Sequence, residues 1–146
     1  MLKYFVAAAA LLVLAGCGGV DPNSPEGKRK AAFKQMLNLS EDMGGMLRGR
    51  LKFDEQQFAE KAALLDDVSR QPWQYFETAS DSKTAAKDDI WQQKERFLQL
   101  ARELENTTVV LRESAKQQPA NTDTLGVRID QVEKACESCH QAFRIY

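Results

Sequence analysis

The chain has 146 residues, enough for one domain, with 20 Lys plus Arg against 21 Asp plus Glu. That near balance argues against a nucleic-acid binder, which normally carries a basic excess. Only four prolines and eight glycines occur in a sequence otherwise rich in Ala, Leu, Glu, Lys and Gln, so the composition points to an all-α protein.

The first residues stand apart from the rest. Lys3 supplies a basic start, an apolar run extends from Tyr4 to Leu14, and small residues precede Cys17. The run is too short for a membrane span and fits the apolar core of an export signal. Leu14-Ala15-Gly16-Cys17 resembles the bacterial lipobox, in which cleavage leaves a lipid-modified cysteine at the new N-terminus. The expected division is a signal peptide over 1–16, a flexible tether over 17–27 and a folded domain over 28–146. Acyl chains on Cys17 would hold the mature protein on a membrane surface without spanning it. An exported lipoprotein facing the periplasm is the implied location. Gly18 lacks the aspartate of an inner-membrane retention signal, which favours the outer membrane by analogy.

From Lys28 the apolar residues recur at helical spacing: Ala32, Phe33, Met36, Leu37, Met43, Met46 and Leu47 form one stripe that ends near Gly49. A second helix is expected from Asp54, with Gln57 at the capping-box position and Phe58, Ala62, Leu65 and Val68 inward. Gln71-Pro72 stops it. A mixed loop follows, and its Trp73, Tyr75 and Phe76 should fold back onto the core. The third helix is expected from Asp88 to Ser114, burying Ile90, Trp91, Phe97, Leu98, Ala101, Leu104 and Leu111. Lys116 to Asn121 breaks it. The fourth begins near Thr122 or Thr124 and carries Leu125, Ile129, Val132, Ala135, Cys136, Cys139, His140 and Phe143. Four amphipathic helices with short connections predict an antiparallel four-helix bundle.

The last helix holds two of the three cysteines and the single histidine as Cys136-Glu137-Ser138-Cys139-His140. This is C-x-x-C-H, the attachment signature of c-type haem. Two thiols three residues apart can bond the two vinyl groups on one edge of the macrocycle, and the adjacent imidazole can ligate the iron. A zinc site would need a fourth protein ligand, and apart from Cys17, assigned to acylation, no other Cys or His is left. A thioredoxin-like pair belongs at a helix start after a strand. A disulfide between residues three apart in a helix would be strained. One covalent haem c, with His140 as its axial ligand, is the reading these residues support.

A haem motif on the closing helix of a four-helix bundle resembles the class II cytochromes c, the cytochromes c′ among them. The likeness extends to Arg29-Lys30-Ala31-Ala32-Phe33, to Gln71-Pro72-Trp73-Gln74-Tyr75-Phe76, to Asp88-Asp89-Ile90-Trp91 and to Cys136 through Arg144, which together span most of the mature domain. By that resemblance Cys136 and Cys139 would hold the haem, His140 would ligate iron, Arg144 would lie beside the imidazole on the same helical face, and Arg29 would contact a haem propionate. Ordinary surface roles remain open for both arginines, as a solvated charge at Arg29 and a helix-end cation at Arg144. Lys30 departs from the family glutamine. Phe33 stands where low-spin members place a methionine ligand and cytochromes c′ place a bulky apolar residue. It would cover the distal face and leave iron five-coordinate. Met36, one turn further on, is the rival sixth ligand.

The resemblance implies binding of nitric oxide or carbon monoxide, single-electron transfer, or both, with a redox partner that the sequence does not name. With Met36 as a ligand the protein would be a low-spin electron carrier. Pairing of two copies through the first two helices is a further implication. No paired carboxylates or nucleophile–base arrangement stands out, so an enzyme is not expected.

Overall fold

The computed structural model describes residues 20–77 and 84–146. The candidate leader and Cys17 lie outside them. Helix α1 runs Pro25–Leu47, α2 Glu55–Ser69, α3 Asp89–Gln92, α4 Lys94–Ala115 and α5 Thr122–Phe143, with a 3₁₀ turn at Trp73–Phe76. The four long helices form the expected bundle: α1 packs on α2 and α5, and α4 packs on α2 and α5.

The helix ends have local causes. Helix α1 starts at Pro25 rather than Lys28, because Ser24 caps it by accepting from the Gly27 N–H at 3.0 Å and Pro25 sits where no N–H is needed. The last three residues assigned to the tether are therefore helical. Gly49 adopts φ 74° just past the other end, the left-handed position that glycine fills without strain. Asp54 caps α2 as expected, accepting from the Gln57 N–H at 2.9 Å, and the Gln57 amide returns to the Asp54 carboxylate at 3.2 Å. Asn121 caps α5. The expected third helix is broken: Gln93 takes φ −117°, ψ 44°, which leaves α3 as one short turn ahead of α4. The break lets Ile90 bury itself and lets the Trp91 indole N–H reach the Phe76 carbonyl at 3.1 Å.

Two apolar clusters fill the bundle. The larger includes Met36, Met43, Phe58, Leu65, Leu111, Leu125, Ile129 and Val132. The smaller, at the end of the bundle holding the chain's C-terminus, comprises Phe76, Ile90, Phe97 and Phe143. Phe33 and Trp73 touch both. Leu37 was expected to face inward but is 56% exposed. A full α-helical stripe is narrower than the run of apolar residues in α1, and Leu37 falls outside it.

Candidate haem site

Helix α5 brings the attachment residues to one end of the bundle. Positions three and four apart lie on one helical face. Cys136 packs against the larger cluster and Cys139 against the smaller, so the thiols straddle the boundary between them. Both are free and half-buried. Burial pushes each thiol up to about 11, helped at Cys136 by the neighbouring Cys139 and Glu133. His140 is also half-buried, and burial, with the Arg144 cation second, lowers its pKa. The imidazole is thereby kept neutral, the form that can donate a lone pair to a metal. No group of three or more His, Cys, Asp and Glu side chains gathers as a metal site among the described residues.

Above this face lies a chain of rings. Phe33 meets Trp73 at 5.8 Å between centroids and Phe76 at 6.2 Å. Phe97 touches Trp73 at 5.8 Å, Phe76 at 4.9 Å and Phe143 at 5.5 Å. Phe143 is three residues beyond His140, which ties the aromatic chain to the attachment helix. Met36, in contrast, is 6% exposed within the larger cluster.

Arg29 is 4% exposed, which removes the reading of a solvated charge. Its guanidinium stacks 4.6 Å from the Phe76 ring centre and donates to the Tyr75 carbonyl at 3.0 Å and the Thr84 hydroxyl at 3.2 Å. Both acceptors are neutral. Burial lowers the arginine pKa, with Glu26 acting weakly in the other direction. Close by, the Trp73 indole N–H is buried with no acceptor. Among the described residues, a buried cation whose hydrogen bonds go to neutral oxygens and an indole donor without an acceptor both favour an anion nearby. Paired thiols, an adjacent neutral imidazole and apolar rings call for a large flat apolar group. Haem c, an apolar macrocycle carrying two carboxylates, satisfies both demands.

The expected placement of Arg144 needs correction. Helix α5 stops at Phe143, and Arg144 is extended at φ −107°, ψ 138°. Its side chain is exposed, with the guanidinium 5.4 Å from the Tyr146 ring centre. It therefore leaves the helical face of His140, although its charge still reaches the imidazole. The cause is an antiparallel pairing of Ala86 with Arg144, in which Ile145 N–H donates to the Ala85 carbonyl at 2.7 Å and Lys87 N–H to the Phe143 carbonyl at 2.9 Å. The sequence reading missed this strap, Thr84 and Lys87. The contacts join residues more than fifty positions apart, and no local pattern announces them.

The family profile of Cytochrome C′ matches residues 25–144. The chain belongs to the cytochrome c′ family. The cytochrome c′ of Rhodopseudomonas palustris is 30% identical over 146 residues, covering 98% of this chain and 97% of that protein. Among solved structures, cytochrome c prime from Shewanella frigidimarina superposes with a TM-score of 0.80 at 26% identity, over 88% of this chain and all of that one (100%). A variant of cytochrome c prime from Alcaligenes xylosoxidans, solved as its nitric oxide complex, superposes at 0.75 and 24% identity, over 85% of this chain and 98% of that one.

A member of this family carries covalent haem c, and Cys136 and Cys139 fit its C-x-x-C-H attachment motif, which His140 completes. When bound, the haem supplies an iron able to take up one electron or a small diatomic ligand. The chain's part is to fix that group and control access to it. His140 would supply the nitrogen that holds the iron, Arg29 and Trp73 would offer donors for the carboxylates, and Phe33 would screen the group.

Proposed function

We propose that this chain is an envelope-bound haem protein, five-coordinate through His140, that binds nitric oxide or carbon monoxide and passes single electrons. The observation that carries the reading is Phe33. A phenyl ring offers no ligating atom, and here it is wedged between Trp73 and Phe76 on the attachment side of the bundle. A gas reaching the iron must displace the ring, which favours small ligands with strong iron affinity. The nitric oxide complex of the Alcaligenes xylosoxidans variant supports the same class of ligand. The lipobox-like Leu14-Ala15-Gly16-Cys17 supports export and acylation, hence a membrane-tethered protein facing the periplasm.

Electron paramagnetic resonance of the ferric holoprotein tests the coordination state. A high-spin signal is expected. A low-spin signal that disappears in Met36→Leu would instead make the protein a His/Met electron carrier.

A further inference from the structure

We propose that the haem-bearing end of the bundle is its membrane-facing surface, and that Ile145 and Tyr146 rest in the lipid interface. The inference rests on the acylation of Cys17 proposed above and adds an orientation to it.

The chain after Cys17 has little slack. Asp21 is already part of a packed turn: its carbonyl accepts from the Ser24 N–H at 3.1 Å and the Ser24 hydroxyl at 2.6 Å, and its carboxylate accepts from the Asn23 N–H at 2.9 Å. That turn lies directly on α1. A Cβ added at Gly27 would come within 2.1 Å of the Asp21 carbonyl oxygen, so only glycine allows the approach. Four residue steps from Cys17 to Asp21 reach at most about 14 Å. Helix α4, with 22 residues, is about 33 Å long. The tether thus holds one end of the bundle near the lipid and leaves no such constraint on the other.

That end is the haem end. Arg29, one turn into α1, bonds Thr84, and the adjoining Ala85 and Ala86 pair with Ile145 and Arg144. The surface there suits an interface. Ile145 is 53% and Tyr146 86% exposed, Arg144 is exposed with its guanidinium 5.4 Å from the Tyr146 ring centre, and Lys28 and Lys30 are exposed on the first turns of α1 at the same end of the bundle. Aromatic and aliphatic side chains beside cations are the composition of interfacial anchors. Exposed Asp21, Asp88 and Asp89 offset the cations, so the contact depends on the tether and apolar residues and needs no anionic lipid.

The test uses the full-length, haem-loaded protein in phosphatidylcholine vesicles containing a headgroup-labelled fluorescent lipid, since haem quenches the label by energy transfer. Mass analysis first reads Cys17. The native chain is expected to quench strongly. A Gly/Ser insertion of about twelve residues between Val20 and Asp21, adding roughly 20 Å of reach, is expected to at least halve the quenching. Ile145→Ser with Tyr146→Ser should weaken it, and Lys52→Glu, on the loop at the far end, should not. A Cys17 without acyl mass overturns the anchor and the orientation together. Acylated protein whose quenching is unmoved by the insertion and by the Ile145/Tyr146 variant overturns the orientation alone.

Discussion

Trp73 meets Phe33 nearly edge-on, with an interplanar angle of 68° and 5.8 Å between ring centroids, and Phe76 closes on the same phenyl from 6.2 Å. Phe33 is therefore held, and moving it breaks two ring contacts. Aromatic pairs of this kind contribute about 0.5–1.5 kcal/mol each beyond area burial. Phe33→Ala should remove that cost from ligand binding and raise carbon monoxide affinity by about 5- to 150-fold. Stopped-flow or equilibrium titration of the ferrous holoprotein reads it. Unchanged affinity would mean that Phe33 does not stand over the iron.

The cysteine and histidine environments give the haem-free chain a two-sided pH profile. In the folded chain both thiols keep their protons up to about 11, against 9.0 for the ordinary group. The folded state binds more protons than the unfolded across that interval, so stability is full below pH 9 and is lost between 9 and 11. His140 acts at the other side. Its pKa is lowered from 6.5, so its contribution is present above 6.5 and is lost as pH falls. Urea midpoints of haem-free protein should decline at both extremes. In the holoprotein the sulfurs are thioethers and the alkaline decline attributable to them should vanish. Its persistence there would assign it to other groups.

How much of this was readable beforehand follows the range of the interactions. Helices, caps and the haem motif depend on neighbours a few residues apart, so the Asp54 cap and C-x-x-C-H were legible from spacing. The break at Gln93 was not. It is set by Ile90 and Trp91 docking onto the turn around Phe76, which outweighs the helix propensity of the surrounding residues. Arg29 shows the same limit. A family likeness placed it near a propionate, but its burial over Phe76 depends on where the Trp73–Phe76 turn folds. Arg144 was misplaced only in its backbone, which leaves the helix to pair with Ala86, far away in sequence, while its charge still acts on His140. The Cys17 reading falls outside the described residues and rests on its motif.

Asp66, in the last turn of α2, links that helix to α4. It is 1% exposed and accepts from Arg70 at 2.6 Å, Arg112 at 2.5 Å and the Thr108 hydroxyl at 3.0 Å, with Ser69 bonded to Thr108 at 3.2 Å. The carboxylate's desolvation is offset by these donors together. Asp66→Asn keeps the shape, loses the charge and leaves two guanidiniums without their shared anion. Breaking a buried pair typically costs about 3–5 kcal/mol; partial exposure of both arginines places this one near the lower figure. Thermal unfolding should fall by roughly 6–12 °C at that cost. The Soret spectrum of folded protein should not change, because among the described residues the hydrogen bonds and ion pairs of this carboxylate stay with Arg70 and α4. A spectral shift would contradict that separation.

Lys87 secures the C-terminal turn of the haem helix. Its ammonium donates to the carbonyls of Gln141 at 3.3 Å and Ala142 at 3.2 Å, and its own N–H donates to Phe143 at 2.9 Å. Carbonyls in the last turn of a helix have no partner within the helix, and a cation there also opposes the negative end of the dipole. These carbonyls directly follow His140, so the clamp bears on the turn that aims the imidazole. Lys87→Met should let that turn fray, at a cost of about 1 kcal/mol for a partly exposed charged contact. The iron–histidine stretching band of the ferrous holoprotein, read by resonance Raman, should broaden or shift in Lys87→Met. Lys87→Arg, which can still reach the carbonyls, should restore it. A band identical in native and Lys87→Met proteins would show that the main-chain pairing of residues 85–87 with 143–145 fixes the proximal turn without the side chain.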